Sequence, residues 1–364
     1  MKLKFPEPDI DDFKKVLSRQ DEGHRIHCCE LHIDEEILKF LFEYFFEEKW
    51  IEPVDYQTQK KSIENIVKIY YKLGFDTIRL SSYFRFSSNL KFDLPKKEIN
   101  DTALFSRGKR KWADEKQGLI KNWDDFNNYP WPEPEKVNLW VFEYLSEILP
   151  ENMGIFLSIS QGIFETVMFL FGFENLCYFI YDNEELVRKT TEKVGEIIYN
   201  TTKKFIKIEK IIGIFQGDDM GFKTQTLIPP EFLKNYILPW HKKLAELAHK
   251  NGKVYILHSC GNIESLMDFL IEEVKIDAKH SFEDEILPVW KFKEKYGEKI
   301  GIIGGVDVGK LCTLKENELR KYIREILEKC SGSGYILGSG NSIANYVPPK
   351  NFLIMLQEGY SFKI

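Results

Sequence analysis

The chain has 364 residues, of which 43% are hydrophobic and 14% aromatic, enough to fill a large core and to exclude a disordered polypeptide. The 51 basic and 57 acidic residues leave a net charge of -6, with no electrostatic footprint for nucleic acid. No run of ~18 uncharged apolar residues occurs, so no membrane span is expected. The first residues lack the basic-then-apolar order of a secretory signal, and a cytoplasmic protein is expected. Six cysteines are too few for a disulfide scaffold and read as free thiols or metal ligands.

In chain order, residues 25–30, 77–81 and 155–160 carry strand patterns. The intervening stretch 91–134 is polar and rich in Trp and Pro, and reads as an excursion over one end of the fold. From residue 211 the alternation becomes regular. Apolar runs at 211–215, 254–257, 277–280, 300–303 and 335–337 read as strands. The stretches 229–248, 262–273, 288–296 and 316–330 read as helices, with a last helix opening at Pro348-Pro349. Short apolar strands between amphipathic helices indicate a parallel α/β fold with strands buried on both faces.

Polar side chains collect just after these strands: Glu30, Ser81, Ser82, Asp218, Asp219, His258, Cys260, His280, Asp307, Ser339 and Asn341. A closed barrel brings all such ends to one mouth, whereas an open sheet spreads them. The expectation is therefore a single (β/α)8 TIM barrel over residues 1–364, with an N-terminal extension and the inserted excursion near 91–134.

His258-Ser259-Cys260-Gly261 carries the most chemistry. Residues two apart at a strand end share a face, and imidazole with thiolate is a favoured donor pair for Zn2+. The alternative is a buried thiol beside a hydrogen-bonded histidine. At the next strand end His280 is followed by Glu283 and Asp284, which are either site carboxylates or caps of the following helix. Asp307 follows the next strand. In Gly217-Asp218-Asp219, Asp218 suits a turn, while Asp219 suits an inward carboxylate that binds substrate or supports a metal ligand. Gly338-Ser339-Gly340-Asn341 lacks the lysine of a P-loop and reads as a small-residue floor that offers Asn341.

These motifs, with Arg110-Lys111-Trp112-Ala113-Asp114-Glu115, Tyr129-Pro130-Trp131-Pro132, Gly172-Phe173-Glu174-Asn175 and Gly304-Gly305-Val306-Asp307, resemble the uroporphyrinogen decarboxylase superfamily over most of the chain. The resemblance implies a (β/α)8 barrel. Decarboxylases of this superfamily hold substrate carboxylates with an Arg-Gln-Ala-Gly-Arg stretch, whose place here reads Glu30-Leu31-His32-Ile33-Asp34. Their aspartate falls on Ser82, their tyrosine near Phe169 and their last-loop histidine on Asn341. The other branch, cobalamin-dependent methyltransferases, holds zinc with His-x-Cys and a later Cys. His258 and Cys260 match the first two ligands, and the later Cys falls on Asn341. Glu30, His280, Asp307 or Asp219 is then left to supply the third ligand.

The resemblance thus implies a zinc-dependent methyltransferase that moves a methyl group between a small substrate and a separate corrinoid protein. His258 and Cys260 are the expected metal ligands, and Asp219, Glu30, His280 and Asn341 the expected catalytic residues. The alternatives are a decarboxylase, with Arg79, Arg85, Arg107 or Arg110 as its cations, and a non-catalytic binder of a corrinoid or tetrapyrrole. An exposed barrel face leaves room for a homodimer.

Overall fold

The structure, a computed structural model, describes residues 4–80, 90–138 and 140–364. Its strands are β1 (Thr77–Leu80), β2 (Lys96–Asn100), β3 (Lys109–Ala113), β4 (Gly154–Leu157), β5 (Ile211–Gly217), β6 (Val254–His258), β7 (Ala278–His280), β8 (Gly301–Ile303) and β9 (Tyr335–Ile336). Seven of them form one parallel sheet in the order β1-β4-β5-β6-β7-β8-β9, while β2 and β3 pair antiparallel as a separate ribbon. Each sheet strand pairs with the next one in the chain after a helical crossover, so the sheet grows in one direction and curls, as in a TIM-like barrel.

One face of the sheet closes on itself. Phe156, Phe215, Ile256, Ala278, Ile303 and Ile336, from β4 to β9, meet in a single buried cluster with Phe13, Val16 and Leu17 of the helix Ile10–Leu17. That helix lies under the N-terminal ends of the strands. Ile10 N–H donates to Asn152 O at 3.1 Å, and Val16 O accepts from Gly334 N–H at 2.9 Å. The other sheet face packs on the crossover helices in the larger core.

The expected first strand, 25–30, is reduced to an isolated parallel bridge between Cys28 and Leu337. Leu337 N–H donates to His27 O and Cys29 N–H to Leu337 O, both at 2.9 Å, which ties the segment to the β9 side. On the β1 side the contacts are made by side chains: His27 Nδ1 lies 2.8 Å from Asp76 Oδ2, and Arg79 donates to Leu31 O at 2.8 Å. Side chains standing where a backbone ladder would run explain the lost strand. In the 91–134 excursion, the turn between β2 and β3 is held to the segment following β9 through Asn345 Nδ2–Asp101 Oδ2 (2.9 Å) and Phe105 N–Asn345 O (3.1 Å). Among the described residues no single helix is long and apolar enough to cross a membrane.

Candidate metal centre

The register of β6 and β7 builds the centre. His258 and His280 are parallel partners, so their side chains leave neighbouring strands at one level. Their Nδ1 atoms lie 2.7 Å apart, and His280 Nε2 lies 3.2 Å from Ser339 O. Gly304, at φ +102°, leaves the space: a Cβ there would sit 2.6 Å from Ser339 O and 3.1 Å from the His280 ring. Burial, with the nearby charges of His258 and Lys279, drives the His280 pKa well below the ordinary histidine value.

Two glycines then join the loops after β5 and β6. Gly261 adopts φ +74°, and a Cβ on it would lie 2.3 Å from Gly221 C, so the two backbones touch directly. Met220 N–H donates to Ser259 Oγ at 3.1 Å and Cys260 N–H to Asp219 Oδ1 at 2.8 Å. Fastened in this way, Asp219 meets the His-x-Cys pair. His258 Nε2 is 3.4 Å from Cys260 Sγ and 3.4 Å from Asp219 Oδ1. Donor atoms of all three residues lie within 4.8 Å of one another. Around a tetrahedral Zn2+ with bonds of ~2.0–2.3 Å, neighbouring donors are separated by roughly 3.3–3.6 Å. The donor types and the two spacings from His258 Nε2 therefore fit a zinc ion.

Asn341 Nδ2 donates to Cys260 Sγ at 3.2 Å, and Ser281 Oγ lies 3.7 Å from the same sulfur. Ser281 holds φ +86°, a strained setting for a residue with a side chain, directly after His280. Burial and the charge of Asp219 push the Cys260 thiol pKa far up. Burial also raises that of Asp219, but the hydrogen bond and charge of His258 and the Cys260 N–H outweigh it, and the net shift is downward.

The other expected residues divide. Glu30 is buried outside the three-donor cluster, receiving Ser339 N–H at 3.0 Å and Ser339 Oγ–H at 2.5 Å; burial raises its pKa to about 8. His280 stands behind His258. Asp218 turns away to accept the N–H groups of Phe164 and Glu165 at 3.0 Å each and to meet His241 Nε2 at 2.8 Å. Asp307 caps its own helix through Lys310 N–H at 3.0 Å. Glu283 and Asp284 do not cap the next helix: Glu283 accepts from Gly261 N–H at 3.1 Å, and Asp284 pairs with Lys310 Nζ at 2.7 Å.

Of the cations expected for a decarboxylase, Arg79 donates to Phe215 O, Leu31 O and Ser158 Oγ at 2.8–3.0 Å. Arg107 pairs with Asp34 and Glu36. Arg110 reaches Asp34 at 4.0 Å. Ser81, Ser82 and Arg85 lie outside the described residues. Sequence reasoning missed Glu165, whose carboxyl is raised well above its ordinary pKa by burial and by the charges of Asp219 and Asp218. In the sequence it shows only as a polar residue in the first turn of an apolar helix.

A parallel α/β sheet with a His-x-Cys pair and a carboxylate at its C-terminal edge is the class of protein that this geometry defines. Residues 116–361 match the family model described as uroporphyrinogen decarboxylase (URO-D), and the chain belongs to that family. No curated protein matches the chain. Among solved structures it is similar to a methyltransferase from Methanosarcina mazei, at 13% identity and a TM-score of 0.68, over 97% of this chain and 98% of that one. It is also similar to a B12-independent methionine synthase from Shewanella sp. W3-18-1, determined in complex with selenomethionine. That match has 11% identity and a TM-score of 0.52 over 84% and 87% of the two chains. At these identities the likeness is one of fold.

Proposed function

We propose that the chain is a zinc-dependent methyltransferase, a single (β/α)8 barrel that moves a methyl group between a small substrate and a corrinoid carried by a separate protein. The observation that carries this reading is the convergence of Cys260 Sγ and Asp219 Oδ1 on His258 Nε2, each at 3.4 Å, a spacing suited to donors of one tetrahedral ion. The likeness in fold to the Methanosarcina methyltransferase supports it. Asp219 is the third ligand in this reading and contributes the single negative charge that a second thiolate would have contributed. Zn2+, when bound, supplies Lewis-acid activation of the heteroatom that gives or takes the methyl group.

The chain's own residues do the rest. His280 orients His258, and Ser339 is fixed by Glu30 on its far side. The Asn341 amide donates to the Cys260 sulfur and holds it toward His258. The decarboxylase alternative has less support, because Arg79 donates to two carbonyls and a hydroxyl of the protein and Arg107 pairs with Asp34 and Glu36.

The test is elemental analysis of untagged protein beside the Cys260→Ser variant. About one zinc per chain, lost in the variant, is the expected result; no zinc in either protein overturns the reading. Methyl transfer is then followed as loss of the methylcobalamin absorbance with thiols, alcohols and amines as partners, and His258→Ala should abolish it.

A further inference from the structure

We propose that Lys279 is a positioning residue of the candidate metal centre, whose buried ammonium holds the Ser281 turn and with it two side chains beside the Cys260 sulfur. The inference rests on the reading of His258, Cys260 and Asp219 as metal ligands and adds a residue from the opposite face of the sheet.

Alternation along β7 sends Ala278 and His280 to the closed inner face, so Lys279 points outward among the crossover helices. It is only 5% exposed, and its Nζ lies over the Phe282 and Phe292 rings, 4.5 and 5.5 Å from their centroids. A methionine would fill that space without the cost of taking an ammonium out of water. Packing therefore does not account for a lysine here. What the ammonium adds is hydrogen bonding: Nζ donates to Ser281 O at 2.5 Å and to His280 O at 3.3 Å.

The Ser281 carbonyl needs such a donor. Ser281 is buried at φ +86°, and its carbonyl lies on the Lys279 side of the sheet, where no backbone N–H among the described residues reaches it. A buried carbonyl without a donor is strongly unfavourable, and so is a left-handed backbone at a residue with a side chain. Both penalties fall on one residue, and Lys279 relieves the first. The His280 carbonyl also accepts Ser259 N–H at 3.4 Å, which carries the hold across to the strand end between His258 and Cys260.

On its other side the turn faces the sulfur. Ser281 Oγ lies 3.7 Å from Cys260 Sγ. Phe282 N–H donates to Gly340 O at 3.2 Å, and a Cβ on Gly340 would sit 2.1 Å from Phe282 O, so the turn touches the loop after β9. Asn341, next in that loop, donates to Cys260 Sγ at 3.2 Å. The hydroxyl and the amide beside the sulfur thus both lean on the turn that Lys279 fixes.

The experiment follows iodoacetamide alkylation of metal-free full-length protein, read cysteine by cysteine by mass spectrometry, beside Zn2+ affinity from chelator competition. Lys279→Met should raise the Cys260 rate about 10-fold and lower Zn2+ affinity about 10- to 100-fold. The rates at the buried Cys28, Cys29 and Cys330 should stay as in wild type; an equal rise at all of them marks general loosening and overturns the inference. Glycine adopts φ +86° freely, so adding Ser281→Gly to Lys279→Met should recover part of both losses. A double variant no better than Lys279→Met overturns the inference, and so does a Lys279→Met protein with wild-type alkylation and affinity. If Lys279→Met does not fold, the double variant decides: folded protein with slow Cys260 alkylation supports the inference, and a second unfolded protein overturns it. A Cys260 rate that rises in Lys279→Met when even the wild type binds no zinc keeps the positioning and removes the metal reading. Zinc bound equally by both proteins, with equal alkylation, does the reverse.

Discussion

Asp218 and Asp219 are adjacent in the chain and should behave oppositely when truncated. Asp218 is fully buried and accepts two helix N–H groups at 3.0 Å each, with His241 Nε2 at 2.8 Å. It lies at the N-terminal end of the helix Ile163–Phe171, where a carboxylate also gains from the helix dipole. Asp218→Ala leaves three buried polar groups without their acceptor, at ~1–3 kcal/mol each before relaxation. A net loss of about 3–5 kcal/mol follows, a large part of the ~5–15 kcal/mol that holds a typical protein folded. With a urea slope near ~3 kcal/mol/M, the unfolding midpoint should fall by about 1–1.7 M. The Asp219 side chain is 38% exposed and, among the described residues, accepts one backbone N–H, that of Cys260, beside its 3.4 Å contact with His258 Nε2. Asp219→Ala should therefore cost about 1 kcal/mol or less while weakening zinc binding at least ~100-fold. Urea titration and chelator competition on both variants provide the comparison. An Asp218→Ala midpoint close to wild type, or an Asp219→Ala midpoint that falls as far, would refute this division of labour.

Gly261→Ala places a Cβ 2.3 Å from Gly221 C at a φ of +74°. Stability should drop by at least ~2 kcal/mol and the zinc stoichiometry should fall with it, both measured on one preparation. Burial raises the Asp34 pKa, but the hydrogen bond and charge of His32 and the charge of Arg107 outweigh it and hold the value at about 2, below the ordinary 3.8. The stability it confers is thus complete above about pH 4 and lost as pH falls through about 2, so Asp34→Asn should cost ~2 kcal/mol at pH 7 and flatten the acid limb of the stability curve. For Glu30 the sign is reversed. Burial lifts its pKa from 4.5 to about 8, so the folded chain keeps a proton that the unfolded chain gives up. Stability should fall between pH 4.5 and 8 and level off above; Glu30→Gln should remove a few kcal/mol of that slope, whereas parallel curves would rule it out.

The second half of the chain was legible because its strands are short apolar runs between amphipathic helices, a pattern set by burial on both faces. The segment 25–30 looked the same, but its β1 side is bonded through Asp76 and Arg79 side chains, a choice no local pattern encodes. The helix expected over 229–248 is interrupted by a π-turn, Leu233–Ile237, just before Pro239, whose missing N–H breaks the regular ladder. His258 and Cys260 were readable as donors because strand alternation places them together. Asp219 was readable as a carboxylate at a strand end. Its meeting with them depends on Gly221 and Gly261 touching across forty residues, which is tertiary information. His280 appeared to be a free ligand candidate, and only the β6–β7 register shows that its Nδ1 is already engaged by His258.

The donor cluster contains one sulfur atom. A centre with two thiolates can close into a disulfide under oxidative stress, expelling its ion and locking itself shut until a reductant arrives. Here Cys260 has an amide and a hydroxyl beside it, and the other donors of the cluster, an imidazole and a carboxylate, do not take part in thiol–disulfide exchange. Oxidation at this cysteine gives a sulfenic acid that no second thiol of the cluster can trap, so it either meets a thiol from outside or goes on to the sulfinic acid. In the proposed ligand set, a carboxylate in the place of a second thiolate would thus remove the disulfide route to inactivation, at the cost of making recovery depend on the thiols of the surrounding medium.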